Sequence, residues 1–206
     1  MGSETDRFDQ VAGTWDADSS RAALARAVAD GIGRGVGLTP AMDVLDFGCG
    51  TGLLTLALAP HVRHIVGADA SVGMLAVLEE KIRSQGLTSV RPHLVCEAKP
   101  LASAGRFHLI TSSMALHHVR DVPALIAEFR TLLHPQGRLA LADLDSEDGA
   151  FHDADVRDVH HLGFDRAWLR ERMLDHGFVD VRDTTAFVHR RRGREYPVFL
   201  MTAALR

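Results

Sequence analysis

The most constraining stretch of this chain is residues 44–52, Val-Leu-Asp-Phe-Gly-Cys-Gly-Thr-Gly. A short apolar run reads as a buried strand, and it passes at once into Gly48, Gly50 and Gly52 and then into helix-forming residues 53–59. Glycines at a strand-to-helix turn permit a tight bend and let a ligand approach the backbone beside the positive end of a helix. The spacing is G-x-G-x-G, and Leu53 stands where a dinucleotide fingerprint would have its third glycine. Asp46, on the strand itself, suits a ligand carrying an ammonium and a sulfonium better than one carrying a pyrophosphate. Asp69 lies 23 residues further on, at the end of a second apolar run, where a carboxylate accepts hydrogen bonds from a ribose diol. Taken singly, the glycines fit an ordinary loop and Asp69 fits a helix N-cap. Together they point to a cofactor site.

Around this segment, strand and helix signals alternate. Strands are expected at 42–46, 65–69, 90–96, 107–111 and 137–143, with Pro92 placing the third near a sheet edge. Helices are expected at 20–32, at 53–59 with Pro60 stopping it, from the cap Ser71 to about Gln85, at 121–133 and at 166–176. Short connections of this kind call for a parallel sheet with helices on both faces. Residues 179–188 and 196–203 then read as two strands with no helix between them, so they pair antiparallel through a basic turn at 189–194. The expected fold is therefore α/β: a doubly wound, mostly parallel seven-stranded sheet with an antiparallel C-terminal strand. A single domain is expected over 1–206, with a helical lid in 1–37 and an acceptor-side insertion in 144–163.

Composition narrows the classes. A chain of 206 residues that is 46% hydrophobic buries the core of one α/β domain. Its formal charge of −4 draws it neither to nucleic acid nor to an anionic membrane, and its aromatics, 6% of the chain, are scattered. Two cysteines, Cys49 and Cys96, make neither a disulfide framework nor a four-cysteine zinc site. No apolar run approaches the roughly 20 residues of a membrane span, and the start lacks a signal pattern, so a cytoplasmic location is expected. The run Arg190–Arg194 reads as a solvated turn.

With these residues in view, the chain resembles the class I S-adenosylmethionine-dependent methyltransferases, in particular their small-molecule group. The resemblance runs through recognisable motifs over residues 8–129. The glycine segment matches the family's first motif, and Asp69 its ribose-binding acid. Glu97-Ala98 stands where the family has Asp-Ala against the adenine edge, so glutamate is a departure. Residues 107–119 resemble the fourth strand and the segment after it, and residues 8–15 the stretch that closes over the cofactor. The resemblance implies S-adenosylmethionine as cofactor, S-adenosylhomocysteine as product and a Rossmann-like methyltransferase fold. It implies cofactor contacts at Trp15, Asp46, Gly48, Cys49, Gly50, Gly52, Asp69, Ala70, Glu97, Ala98 and Ser113.

Methyl transfer needs alignment and exclusion of water, and needs a base only when the nucleophile arrives protonated. Candidate catalytic groups are His117 and His118, which follow the fourth strand, and Asp143, His160 and His161, on or after the fifth. For the two histidines after strand four, packing against the cofactor is the competing role. The segment 143–161 has three readings: a base or substrate anchor, a solvated acidic loop, or a divalent metal site. It lacks tight ligand spacing such as H-x-x-x-H, and no metal is expected. The expected function is methyl transfer to a small molecule. The alternatives are an RNA or protein methyltransferase and a non-catalytic protein that binds S-adenosylmethionine. The missing third glycine disfavours a nicotinamide oxidoreductase.

Overall fold

The computed structural model describes residues 6–152, 156 and 158–206. The first five residues of the expected lid, and residues 153–155 and 157 of the expected insertion, lie outside them. Seven strands form one sheet, in the order β3-β2-β1-β4-β5-β7-β6. They are β1 (Asp43–Phe47), β2 (His64–Asp69), β3 (Val90–Leu94), β4 (Phe107–Ser113), β5 (Leu133–Leu144), β6 (Phe178–Arg191) and β7 (Arg194–Leu205). The first five pair parallel, and β7 runs antiparallel to both β5 and β6. Pro92 lies on β3 at one edge of the sheet, where its missing N–H costs no ladder bond.

Alternation along the strands sorts the helices to two faces. On one side, Val44, Ile65, Leu109 and Ala140 pack against α2 (Ser19–Val36), α3 (Leu53–Leu58) and α4 (Val72–Gln85). On the other, Leu45, Val66, Ile110 and Leu139 pack against α5 (Val122–Leu132) and α6 (Arg166–Asp175). Asp18, Ser71, Asp121 and Asp165 cap α2, α4, α5 and α6, each side chain accepting a backbone N–H in the first turn.

Several boundaries differ from the sequence expectation, for local reasons. β5 begins at Leu133, four residues early, because Leu133 pairs with Phe107 ahead of an irregularity in which Gln136 takes a φ of 62°. The expected six-residue basic turn is instead ladder almost to its tip: Arg190 pairs with Glu195 and Arg191 with Arg194. Only Arg192 and Gly193 turn the chain, with φ of 52° and 74°, the left-handed pair of a two-residue hairpin. Alternating Arg, Gly and Glu give no apolar signal, so the strand continuation is invisible in hydrophobicity. Pro60 lies just beyond α3, which ends at Leu58, within a residue of the expected stop. It enters a 3₁₀ turn, Ala59–His61, where a missing N–H is tolerated. At the N-terminal side, α1 (Asp6–Val11) and a 3₁₀ turn (Ala12–Ala17) lead into α2.

Candidate active site

The carboxyl ends of the strands gather the predicted residues. After β1 the glycine loop folds onto β2, with the N–H groups of Gly48 and Cys49 donating to the carbonyl of Ala68 at 2.8 and 3.1 Å. The N–H groups of Gly50 and Ser71 then donate to the two oxygens of Asp69, each at 2.8 Å. Burial raises the Asp69 carboxyl above its usual range, while the N–H groups of Ser71, Gly50 and Ala70 oppose the rise. Asp46 is 1% exposed and accepts from Thr55 Oγ1 at 2.5 Å. Burial, with the charge of Asp69 adding to it, pushes its pKa up to about 7. Burial likewise drives the Cys49 thiol well up.

Among the described residues neither Asp46 nor Asp69 has a basic partner. A buried acid and a half-buried one beside one loop cost free energy unless something cationic joins them. The space over Gly50 is open, since a Cβ there would meet only Met74 Sδ at 3.9 Å. An ammonium-bearing nucleoside fits this donor and acceptor set. Glu97 and Ala98 are exposed and form the turn between Cys96 and Lys99. That turn follows β3, whose continuation is tied to Asp69 by the Val95 N–H at 2.9 Å, so the pair lies along the same rim. Ser113 ends β4 half-buried.

The N-terminal segment is strapped across this rim. Asp9 Oδ1 accepts from Ser71 Oγ at 2.5 Å and from the Gly73 N–H at 2.7 Å. Asp16 accepts from Thr51 Oγ1 at 2.6 Å and pairs with Lys81 Nζ at 2.5 Å. Lys81 also donates to the Thr51 carbonyl at 2.7 Å. Phe8 packs edge-on to His118 and to Trp15, at 5.2 and 5.9 Å between ring centres. Trp15, expected over the cofactor, has its ring under the guanidinium of Arg21 at 3.7 Å.

The predicted histidines divide. His117 is 2% exposed, and its Nδ1 lies 2.7 Å from Asp143 Oδ1. The carboxylate only accepts, so that nitrogen carries the proton. Asp143 also accepts the N–H of Leu144 at 2.8 Å. His118 Nδ1 lies 2.6 Å from the carbonyl of Asp158. Burial, with His117 beside it, lowers the pKa of His118. The backbone N–H groups of His160 and His161 both donate to the carbonyl of His117, at 2.8 and 3.1 Å. The His161 ring is a strut, with Nε2 2.9 Å from the Val119 carbonyl.

His152 falls within the segment 143–161 that the sequence marks, without being singled out there. Its ring lies 5.0 Å from that of His117 and 6.0 Å from that of His118. Burial, with His117 and His118 adding, lowers its pKa to about 4, and its Nε2 is buried without a hydrogen-bond partner among the described residues. Sequence reasoning missed the anchors Asp9, Asp16 and Lys81, whose residue types are ordinary for exposed helices. Among the described residues no group of three or more His, Cys, Asp or Glu is arranged to hold a metal ion, and no helix is long and apolar enough to cross a membrane.

A parallel sheet completed by one antiparallel strand, with a glycine loop after β1 and an acid closing β2, defines a nucleoside-binding α/β protein of the methyltransferase type. Comparison with known proteins agrees. The pattern of the methyltransferase domain family matches residues 20–186. An uncharacterised methyltransferase of Schizosaccharomyces pombe is 35% identical over 137 residues, covering 60% of this chain and 48% of that one. Nocamycin O-methyltransferase of Saccharothrix syringae is 34% identical over 137 residues, covering 65% and 48%. The chain thus spans about half the length of these relatives. The solved structure of YcgJ from Bacillus subtilis superposes with a TM-score of 0.68 at 16% identity, over 87% of this chain and 98% of that one. A chain from the complex between the Haloferax volcanii Trm112 methyltransferase activator and the putative methyltransferase gives 0.77 at 15% identity, over 97% of each. At such identities the structures share the fold. The chain belongs to the methyltransferase domain family, in its class I S-adenosylmethionine-dependent branch.

Proposed function

We propose that this chain is one methyltransferase domain that moves the methyl group of S-adenosylmethionine to a small-molecule acceptor. The observation that carries the small-molecule reading is the strap. Asp9 and Asp16 hold residues 6–17 across the cofactor rim, which favours a small acceptor over an RNA or protein surface. Nocamycin O-methyltransferase, one of several O-methyltransferases among the relatives, supports the same reading.

In this reading Asp69 accepts from the ribose hydroxyls, and Asp46 faces the amino group. The loop Gly48-Cys49-Gly50, with Gly52 and Ala70, lies against the cofactor's chain. Glu97 and Ala98 meet the adenine edge, and Ser113 closes the floor. Held there, S-adenosylmethionine would supply a methyl group activated by its sulfonium, with S-adenosylhomocysteine as the leaving group. His117 Nε2 takes the proton that a hydroxyl or ammonium acceptor sheds. Asp143 holds the His117 tautomer and steadies the imidazolium so formed, as a positioning residue. His160 and His161 fix the backbone under His117. The strap and the half-buried rings of His118 and His152 exclude water.

Calorimetric titration with S-adenosylhomocysteine, with NADH as control, tests the cofactor. Micromolar binding to the wild type, weakened about 100-fold or more in Asp69→Ala, is expected. A preference for NADH would overturn the assignment. Release of S-adenosylhomocysteine in the presence of acceptor then separates an enzyme from a non-catalytic binder.

A further inference from the structure

The strap walls a cavity of about 480 Å³, within the size range of small-molecule pockets, lined by Arg7, Val11, Thr14, Trp15, Ala17, Asp18 and Arg21. We propose that this cavity is the acceptor pocket and that it selects a small, partly apolar molecule bearing an anionic group, a carboxylate or a phosphate monoester. The inference rests on the methyltransferase reading above and adds the chemical class of the acceptor.

Position comes first. Phe8, between Arg7 and the rest of the strap, packs on both Trp15 and His118, so the cavity wall and the imidazole cluster share one ring. Arg7 Nη1 reaches Asp158 at 3.2 Å, and the carbonyl of Asp158 holds His118. The cavity therefore adjoins the residues assigned to the acceptor side.

Charge comes second. A guanidinium has five N–H donors. Among the described residues, Arg21 spends one on the carbonyl of Trp15 at 2.7 Å, and Arg7 one on Asp158. Stacking on the indole fixes the plane of Arg21, so its remaining N–H edge is pre-organised, as a bidentate partner for an oxyanion requires. Asp18 also lines the cavity, but its Oδ1 is committed to Ser20 N and Oγ at 2.9 and 2.7 Å as the cap of α2. Its other oxygen forms a long ion pair with Arg21, 3.8 Å from Nε, which leaves the outer edge of the guanidinium without a hydrogen bond to it. Burial lowers the pKa of Arg21; Asp18 and Asp16 work against that, and the charges of Arg7 and Arg191 add to it. Arg191 comes from the tip of β6 and donates to the carbonyl of Phe151. Arg7 and Arg21 thus both line the cavity, paired with Asp158 at 3.2 Å and with Asp18 at 3.8 Å, beside the apolar surface of Val11, Trp15 and Ala17.

The test uses the protein saturated with S-adenosylhomocysteine, titrated with matched probes: 4-hydroxybenzoate and its methyl ester, then 4-hydroxyphenyl phosphate and hydroquinone. Each anion is expected to bind at least about tenfold more tightly than its neutral partner. Arg7→Gln with Arg21→Gln should erase that margin, and Arg21→Lys should restore part of it. The larger of the two margins identifies the carboxylate or the phosphate. Neutral probes binding as well as the anions, no probe binding, or a margin that survives in the double glutamine variant would each overturn the proposal. The titration with S-adenosylhomocysteine alone is run on every variant. Its failure in the wild type strikes the methyltransferase reading instead, and its preservation in the variants shows that the fold and the cofactor site stand.

Discussion

Asp46 is buried with a hydroxyl for company and no cation, so its proton belongs to the folded apo-protein. Its folded pKa of about 7 lies well above the 3.8 usual for an aspartate. The native state therefore holds this proton more tightly than the unfolded chain does, and the stability it contributes is present below about pH 4 and lost as pH rises to about 7. Asp46→Asn removes that dependence while leaving Thr55 an acceptor. The stability of the wild type minus that of the variant, from urea unfolding, should fall by up to about 4 kcal/mol between those limits, at about 1.4 kcal/mol per pH unit. A difference that does not change with pH would show that Asp46 ionises freely in the fold. At this scale the sequence exposed Asp46, Asp69, His117 and Asp143, because strand ends and glycine spacing fix their height in the sheet. It did not single out His152 or the cavity arginines. His152 meets His117, and Arg7 meets Asp158, from distant segments whose approach depends on how a polar loop closes, and no periodicity records that.

The glycine loop answers to two separate constraints. At Gly48, φ is 68° and a Cβ would stand 2.3 Å from the Cβ of Ala115, so the loop and the segment after β4 lock together there. At Gly50, φ is 53° but the space is open. Gly50→Ala should cost about 1–2 kcal/mol of left-handed strain, lowering Tm by a few degrees, and should abolish S-adenosylhomocysteine binding by filling the cradle. Gly48→Ala should cost more, because it must also push the segment leading to His117 aside. Thermal unfolding of both variants, with calorimetry on Gly50→Ala, checks the contrast, and equal losses of stability would refute it. The existence of these elements was legible from strand–glycine–helix patterning, and Pro92 correctly marked an edge. Their ends were less so. The tip of β6 and β7 is carried by arginine and glutamate, which pair in a ladder without any alternation of hydrophobicity.

Across the whole molecule, the strap joins the glycine loop, the start of α4 and the histidine cluster by polar contacts on one side and rings on the other. Asp9→Ala with Asp16→Ala should therefore speed amide hydrogen exchange in residues 6–17 about tenfold or more, while the central strands keep their protection. Uniform exchange in both regions would mean that the segment is held by its packing alone. The strand order has another consequence. β7 follows β6 in the chain yet lies between β6 and β5, and among the described residues β6 has no other strand to pair with. A nascent chain that has reached residue 191 carries β5 with a naked flank and β6 with nowhere to dock. Only when the two-residue turn at Arg192 and Gly193 has been made can the pair zip together and seat as a unit. The apolar flank of β5 therefore stays uncovered until the hairpin closes, so completion of the sheet waits on a turn that β5 itself does not contain.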